Sequence, residues 1–389
     1  MSRRRMVVAA LLAAFTIAGG APAVGASEEA PPSLPLWVYG HSYTTNPGNM
    51  NTPGQEWMPE LATRLESPSW QTFGVGSSRM IDTYSDISRA APRAPVASSA
   101  WDSQRSGVVV VQSEFNDMIN PWGSSRDARP LSSLAAANYE QTLQASLALL
   151  SAERRQDWSS ATSRGVWRTS SGPAYLGGSL TYTTQRGAFR EMRVTVGPSG
   201  VLWLITWEVS TRVSNPRTGA THISVDNRNV VGIPARTATW EPIYSRRSGG
   251  YLHSVGPRAT AITGLTPGVH TIRVMKVDTG PGAVYLDQLL VQSADPVPVV
   301  VVKDPPAYTP ASSYTQASGP RINANRAVLH QRIDAVTANR LFPHVFTASL
   351  DGIQPEHYAS DGIHLSDLGM DLEASRLEQA IEGYFAGSP

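Results

Sequence analysis

Residues 106–113 read SGVVVVQS. Four consecutive valines with no polar alternation describe a strand buried on both faces, as a parallel sheet covered by helices requires. The signature returns far downstream in PVPVVVVKDPP, 296–306, closed by two prolines. It recurs in weaker form in LPLWVYG, 34–40, SWQTFGVG, 69–76, and HVFTASLDG, 344–352. Between these runs lie helical stretches. EWMPELATRLE, 56–66, puts Trp57, Leu61 and Leu65 on one helix face, and LSSLAAANYEQTLQASLALLSAERR, 131–155, reads as one long helix. INANRAVLHQRIDAVTANR, 322–340, and DLGMDLEASRLEQAIEGYF, 367–385, are helical as well. Strands alternating with helices predict an α/β fold with a parallel sheet.

The middle of the chain has another character. REMRVTVG, 190–197, THISVDN, 221–227, and HTIRVMKVD, 270–278, are short, mostly alternating runs punctuated by Gly, Pro, Asn and Asp. They predict an all-β sandwich or jelly roll. Neither flanking α/β piece has enough strands to bury itself alone. The reading is therefore one α/β domain, 33–158 and 296–387, split by an inserted β-sandwich at 159–295. Insertion at an exposed loop is tolerated because chain ends there lie close together.

Composition narrows the function. The 32 Lys and Arg balance 31 Asp and Glu, which leaves no electrostatic footprint for nucleic acid. There is no cysteine, so thiol catalysis and Cys-based metal sites are excluded. The first 26 residues, MSRRRMVVAALLAAFTIAGGAPAVGA, have a basic start, an apolar stretch and a small-residue end. They read as a signal peptide cleaved after Ala26, which implies a secreted protein with no membrane segment after cleavage.

Polar residues gather where the strands end. Ser42 follows the first, Gly76 and Ser77 the second, and Glu114, Asn116 and Asp117 the third; Asp361 stands three residues before His364. A serine hydroxyl needs an imidazole to take its proton, the imidazole needs a partner to orient it, and the developing oxyanion needs fixed donors. Ser42 is the candidate nucleophile, His364 the base and Asp361 its orienter. The oxyanion candidates are the backbone N–H groups of Ser42, Gly76 and Ser77 and the amide of Asn116. No cofactor or metal is required. Asp117 reads as a structural turn residue.

The four blocks YGHSYTT, 39–45, FGVGSSRM, 73–80, SEFNDM, 113–118, and DGIHLSDLG, 361–369, resemble in order those of the SGNH hydrolase, or GDSL esterase/lipase, superfamily. The resemblance implies a three-layer, flavodoxin-like α/β sheet with helices on both faces, and a cofactor-free serine esterase. The same residues take the roles just given. Three positions depart from the pattern: His41 stands where the family usually has Asp, and Ser77 and Glu114 stand where it has Gly. His41, Glu114 and Trp122 are candidate substrate contacts, with a scaffold role open for His41 and a packed-loop role for Trp122. ITGLTPGVHTIRVMKVDTGPGAVYLDQLLV, 262–291, resembles the closing strands of galactose-binding-like carbohydrate modules. Asp226, Asn227 and Asp287 are candidate calcium ligands by donor type alone.

The expected activity is hydrolysis of an O-acyl ester, with an acylated glycan as the partner and a monomer as the working state. Acyl transfer or lipid hydrolysis by the same residues, or a glycan-binding protein with a degenerate hydrolase, remain alternatives. Removal of the insert is expected to spare turnover of a small ester.

Overall fold

The valine run at 108–112 lies in the middle of a five-stranded parallel sheet, next to the strand that leads to Ser42. The computed structural model describes residues 34–44, 57–90, 107–119, 128–172, 175, 178–209, 217–237, 240–245 and 251–387. The signal-peptide reading and Trp122 lie outside them. The sheet contains β1 (Leu36–Gly40), β2 (Trp70–Thr72), β3 (Val108–Gln112), β19 (Val299–Lys303) and β20 (Val345–Ser349), in the order β2-β1-β3-β19-β20. Every neighbouring pair is parallel. Val108, Val109, Val110 and Val111 are each at most 1% exposed, and burying a valine side chain contributes on the order of 1.5–3 kcal/mol.

Alternate residues of these strands face different helices. Leu36, Val38, Val108 and Val110 pack with Trp57, Met58 and Leu61 of α1 (Trp57–Arg64) and with Met370, Ala374 and Leu377 of the C-terminal helix α6 (Asp367–Gly387). Trp37, Tyr39, Val109 and Val111 face α2 (Met80–Ala90), α3 (Phe115–Ile119), α4 (Ser133–Leu150) and α5 (Ser313–Thr337). α5 begins nine residues before the predicted helix and carries Pro320 inside it, started by a capping box between Ser312 and Thr315. α4 stops at Leu150, five residues short of the predicted end, because Ser151 turns its hydroxyl back to Leu147 O at 2.6 Å and onto His344 Nε2 at 2.9 Å.

From there the chain becomes antiparallel. The strands are β4 (Ala152–Asp157), β5 (Thr162–Arg164), β6 (Arg168–Ser171), β7 (Ser179–Thr183), β8 (Phe189–Val196), β9 (Leu202–Val209), β10 (Arg217–Thr218), β11 (Thr221–Val225), β12 (Arg228–Ile233), β13 (Arg236–Thr237), β14 (Ile243–Ser245), β15 (Tyr251–His253), β16 (Val255–Ile262), β17 (Gly268–Lys276) and β18 (Val284–Gln292). One sheet runs β12-β11-β17-β8-β5 and a second β16-β9-β18-β7-β6, with β4 added on β18; β10-β13 and β14-β15 are separate pairs. Val194, Ile223, Ile272 and Val274 from the first sheet meet Leu202, Leu204, Leu286 and Leu289 from the second in one core.

This corrects the predicted fold class. Of the twenty strands among the described residues, five are parallel and fifteen belong to antiparallel pairings. The chain is therefore not a three-layer parallel α/β fold with a β appendage; antiparallel strands dominate it. The cause lies in the signals themselves. Continuous apolar runs announce buried parallel strands loudly, whereas short alternating strands are individually faint but far more numerous here. Nor are the two characters walled off. Trp203 of β9 stacks on Phe342 just before β20, centroids 5.1 Å apart and planes 2° from parallel, and both belong to the core that contains Tyr84, Val109 and Leu143.

Candidate active site

Parallel strands carry all their carboxyl ends to one edge of a sheet. That geometry brings together the segments that leave β1, β2, β3 and β19. Ser42 opens a single helical turn, Ser42–Thr44, directly after β1, and is half-buried. The turn after β2 passes it closely: Val75 N donates to Gly40 O at 3.2 Å. A Cβ on Gly74 would lie 2.1 Å from Thr44 Oγ1 and 2.5 Å from Thr44 O, so only glycine lets these two segments touch.

Asp361 and His364 come from the loop between β20 and α6. Gly362, between them, has φ of +71°, and a Cβ there would meet Tyr308 O at 2.6 Å. Gly362 N donates to Ala359 O and Ala359 N to His364 O, at 3.0 and 2.8 Å. This tight loop points both side chains the same way. His364 Nδ1 lies 2.5 Å from Asp361 Oδ2, and His364 Nε2 lies 3.2 Å from Ser42 Oγ. The backbone N–H groups of Ile363 and His364 both donate to Asp361 Oδ1 at 2.9 Å. Burial opposes ionisation of Asp361, but the hydrogen bond from His364 and those two amides outweigh it and hold the carboxyl below its usual range. Tyr43, missed in the sequence, sets its ring edge-on to His364 at 5.6 Å and donates its hydroxyl to Ile363 O.

The segments that carry the other oxyanion candidates are tied to each other. Ser77 adopts φ of +64°, unusual for a residue with a side chain. Asn116 Nδ2 donates to Ser78 O at 2.9 Å, tying the third block to the second. Arg79, wholly buried, reinforces the link by donating to Asn116 O, and its Nε reaches Tyr244 O of β14 at 2.8 Å. Asp82 of α2 meets His253 of β15 at 3.3 Å. Asp117 accepts from Met80 N at 2.8 Å, and burial pushes its carboxyl up to about 7.

Two candidate substrate contacts are relocated. His41 and Glu114 are both 0% exposed, so neither side chain reaches a substrate. His41 Nε2 bonds Asp304 Oδ2 at 2.8 Å, and Glu114 Oε2 accepts from Asp304 N at 3.0 Å with His330 Nε2 at 3.1 Å. The physical reason is position: both side chains point back under the strand ends. Asp304 escaped notice although it closes the VVVVKDPP run as Ser42 closes the first strand; that shared strand-end placement was the available signal. The calcium candidates are dispersed. Asp226 and Asn227 form the turn between β11 and β12, with Asp226 bonded to His270 and to Thr271 N, whereas Asp287 on β18 accepts from Trp207 Nε1 at 2.7 Å. Among the described residues no group of three or more His, Asp or Glu side chains is placed to hold a metal ion. No helix among them is long and apolar enough to cross a membrane.

No family model matches the chain, and no curated protein matches it. Similar solved structures include a catalytic domain of GH87 alpha-1,3-glucanase in complex with tetrasaccharides (14% identity, 37% of this chain and 28% of that one, TM-score 0.28). The Agl-KA catalytic domain is another (18%, 36% and 27%, TM-score 0.27). A third is an exo-beta-1,3-galactanase from Phanerochaete chrysosporium with beta-1,3-galactotriose (14%, 35% and 28%, TM-score 0.26). The chain spans less than a third of each of these. The expected membership of the SGNH, or GDSL, superfamily is thereby corrected: no model of that family matches, and the similar structures are β-rich glycoside hydrolases. Likenesses this low carry no argument about what the chain does.

Proposed function

We propose that the protein is a hydrolase that cleaves O-acyl esters through an acyl-enzyme on Ser42. The observation that carries this reading is the unbroken line from Asp361 Oδ2 through His364 to Ser42 Oγ, at 2.5 and 3.2 Å. His364 Nε2 accepts the Ser42 proton as Oγ bonds to the acyl carbon. The Asp361 carboxylate holds the imidazole and stabilises the imidazolium that forms. The tetrahedral oxyanion is received by N–H groups of Ser42, Gly76 or Ser77 and by Asn116. His364 then returns its proton to the leaving alcohol, and water repeats the sequence to release the acid. Asp361 and His364 remain partly exposed, which gives a substrate access to the site.

The alcohol proposed is a sugar hydroxyl. Support comes from the polar side chains of Ser42, Asp361 and His364 and from the contacts that the β14–β15 pair makes with Arg79 and Asp82, in the segment that follows the β2 turn. Export of the chain and a monomeric working state belong to the same proposal. The test is labelling with a fluorophosphonate, together with turnover of p-nitrophenyl esters and acetylated polysaccharides, comparing the intact chain with Ser42→Ala. Ser42-dependent labelling and acetate release support the reading. Equal behaviour of the two proteins rejects it, and reaction only with long-chain esters moves the substrate to lipid.

A further inference from the structure

Beneath Ser42 lies a buried polar group that the proposed chemistry does not consume. Its centre is Asp304, which comes directly after β19 and is 0% exposed. One of its oxygens, Oδ2, accepts twice: from His41 Nε2 at 2.8 Å and from the backbone N–H of Phe115 at 2.7 Å. His41 immediately precedes Ser42, and Phe115 immediately precedes Asn116. The other side of the His41 ring faces the Tyr43 amide, 3.4 Å from Nδ1, so the imidazole touches the backbone on the far side of Ser42 as well. His41 O receives Thr44 N at 3.0 Å and Thr44 Oγ1 at 2.9 Å, closing the turn that presents the serine.

We propose that Asp304 and His41 are positioning residues: a single carboxylate oxygen fixes the distance between the turn that carries the nucleophile and the first turn of α3, which carries the oxyanion amide. Two arguments support it. Burying a carboxylate is costly unless it is hydrogen-bonded, and both bonds to Oδ2 come from residues that directly precede Ser42 and Asn116. The backbone of Asp304 is pinned as well: Arg326 Nε donates to Asp304 O at 2.7 Å, and Asp304 N donates to Glu114 Oε2 at 3.0 Å. Displacing reacting groups by about 1 Å can cost on the order of a hundredfold in rate, and a slack link between these turns does that without touching the substrate.

The inference rests on the ester-hydrolase reading, and its test separates the two. Kinetics on p-nitrophenyl acetate and rates of fluorophosphonate labelling are measured on the full chain for the unaltered protein, Ser42→Ala, Asp304→Asn, His41→Gln, His41→Leu and the double variant His41→Gln/Asp304→Asn. Folding of each is checked by thermal melting. Asp304→Asn should lower kcat roughly 10- to 100-fold with KM changed less than about threefold. His41→Gln keeps a donor toward Asp304 and should retain clearly more kcat than His41→Leu. The double variant should be within about threefold of the worse single, because both act through one link. A kcat for Asp304→Asn within about twofold of the unaltered protein, a loss confined to KM, or a double loss equal to the product of the singles overturns the proposal. If Asp304→Asn does not fold, the order of His41→Gln and His41→Leu decides. An unaltered protein that neither turns over the ester nor labels at Ser42 sinks the esterase reading, and this inference with it. Equal labelling of the unaltered protein and Asp304→Asn sinks only the inference.

Discussion

His364 sits 3.2 Å from Ser42 Oγ and 2.5 Å from Asp361, and a Ser–His–Asp array acts as a unit. Ser42→Ala and His364→Ala are each expected to lower kcat by about 10⁴-fold or more, and the double variant should be little worse than either. Additive losses in steady-state kinetics would separate the two residues mechanistically. Asp361→Asn should cost less, since the Ile363 and His364 amides still hold that side chain. Asn116→Ala is expected to cost roughly 10²- to 10³-fold in kcat if the amide receives the oxyanion. A loss in KM alone would place Asn116 on the bound substrate instead. These residue types were visible along the chain because the proposed nucleophile, base and orienter each stand at a strand end or in one short loop. The direction in which His41 and Glu114 point was not, since a one-residue difference at a strand end separates the substrate side from the interior.

At the scale of elements, the loop from Ala359 to His364 depends on Gly362. Gly362→Ala adds a left-handed backbone penalty to a 2.6 Å approach on Tyr308 O. Roughly 2–4 kcal/mol of destabilisation is expected, with activity falling because Asp361 and His364 are displaced. Chemical denaturation measures the first and kcat the second; an unperturbed variant would mean the loop adapts. The junction of α4, β4 and β20 supplies a pH prediction. Burial drives the His344 imidazole, bonded to Ser151 Oγ, down from 6.5 to about 4. The unfolded chain therefore binds more protons between pH 4 and 6.5, so stability is full above that window and lost as the pH falls through it. The shift corresponds to about 3 kcal/mol. His344→Gln should remove this part of the acid sensitivity, seen as a shallower decline of denaturation free energy from pH 6.5 to 4.

Over the whole molecule, the question is whether the antiparallel strands are an accessory. Trp203 on Phe342, Arg79 on Tyr244 O and Asp82 on His253 say that the parallel and antiparallel parts stabilise one another. The described residues form one compact unit. Trp203→Ala is expected to cost about 3–5 kcal/mol, as for other large buried aromatics, and to lower the melting temperature of the tertiary and secondary circular-dichroism signals together. Excising 159–295 should not leave a soluble protein active on small esters, contrary to the expectation from sequence. It strips α2 and α4 of their cover and leaves the buried Arg79 guanidinium without its Tyr244 partner. A soluble, melting and active deletion protein would show that the shared core is dispensable.

Local signals in the chain were enough to mark the five apolar strands, the helices α1, α4, α5 and α6 though not α2 and α3, and the positions of Ser42, Asn116, Asp361 and His364. Each is read within a few residues: an unbroken run of β-branched side chains, a helical period, a polar residue at a strand end. The alternating strands were marked in the same way, though not their weight in the whole. Folding in three dimensions settled the rest: that antiparallel pairing dominates, that α4 ends at Leu150 where Ser151 meets His344, and that Asp304 meets His41, the residue before Ser42. Those outcomes depend on residues far apart in the chain, 193 positions between Ser151 and His344 and 263 between His41 and Asp304. No local period carries such a contact: it exists only once burial has made an unpaired polar group too costly to leave without its distant partner.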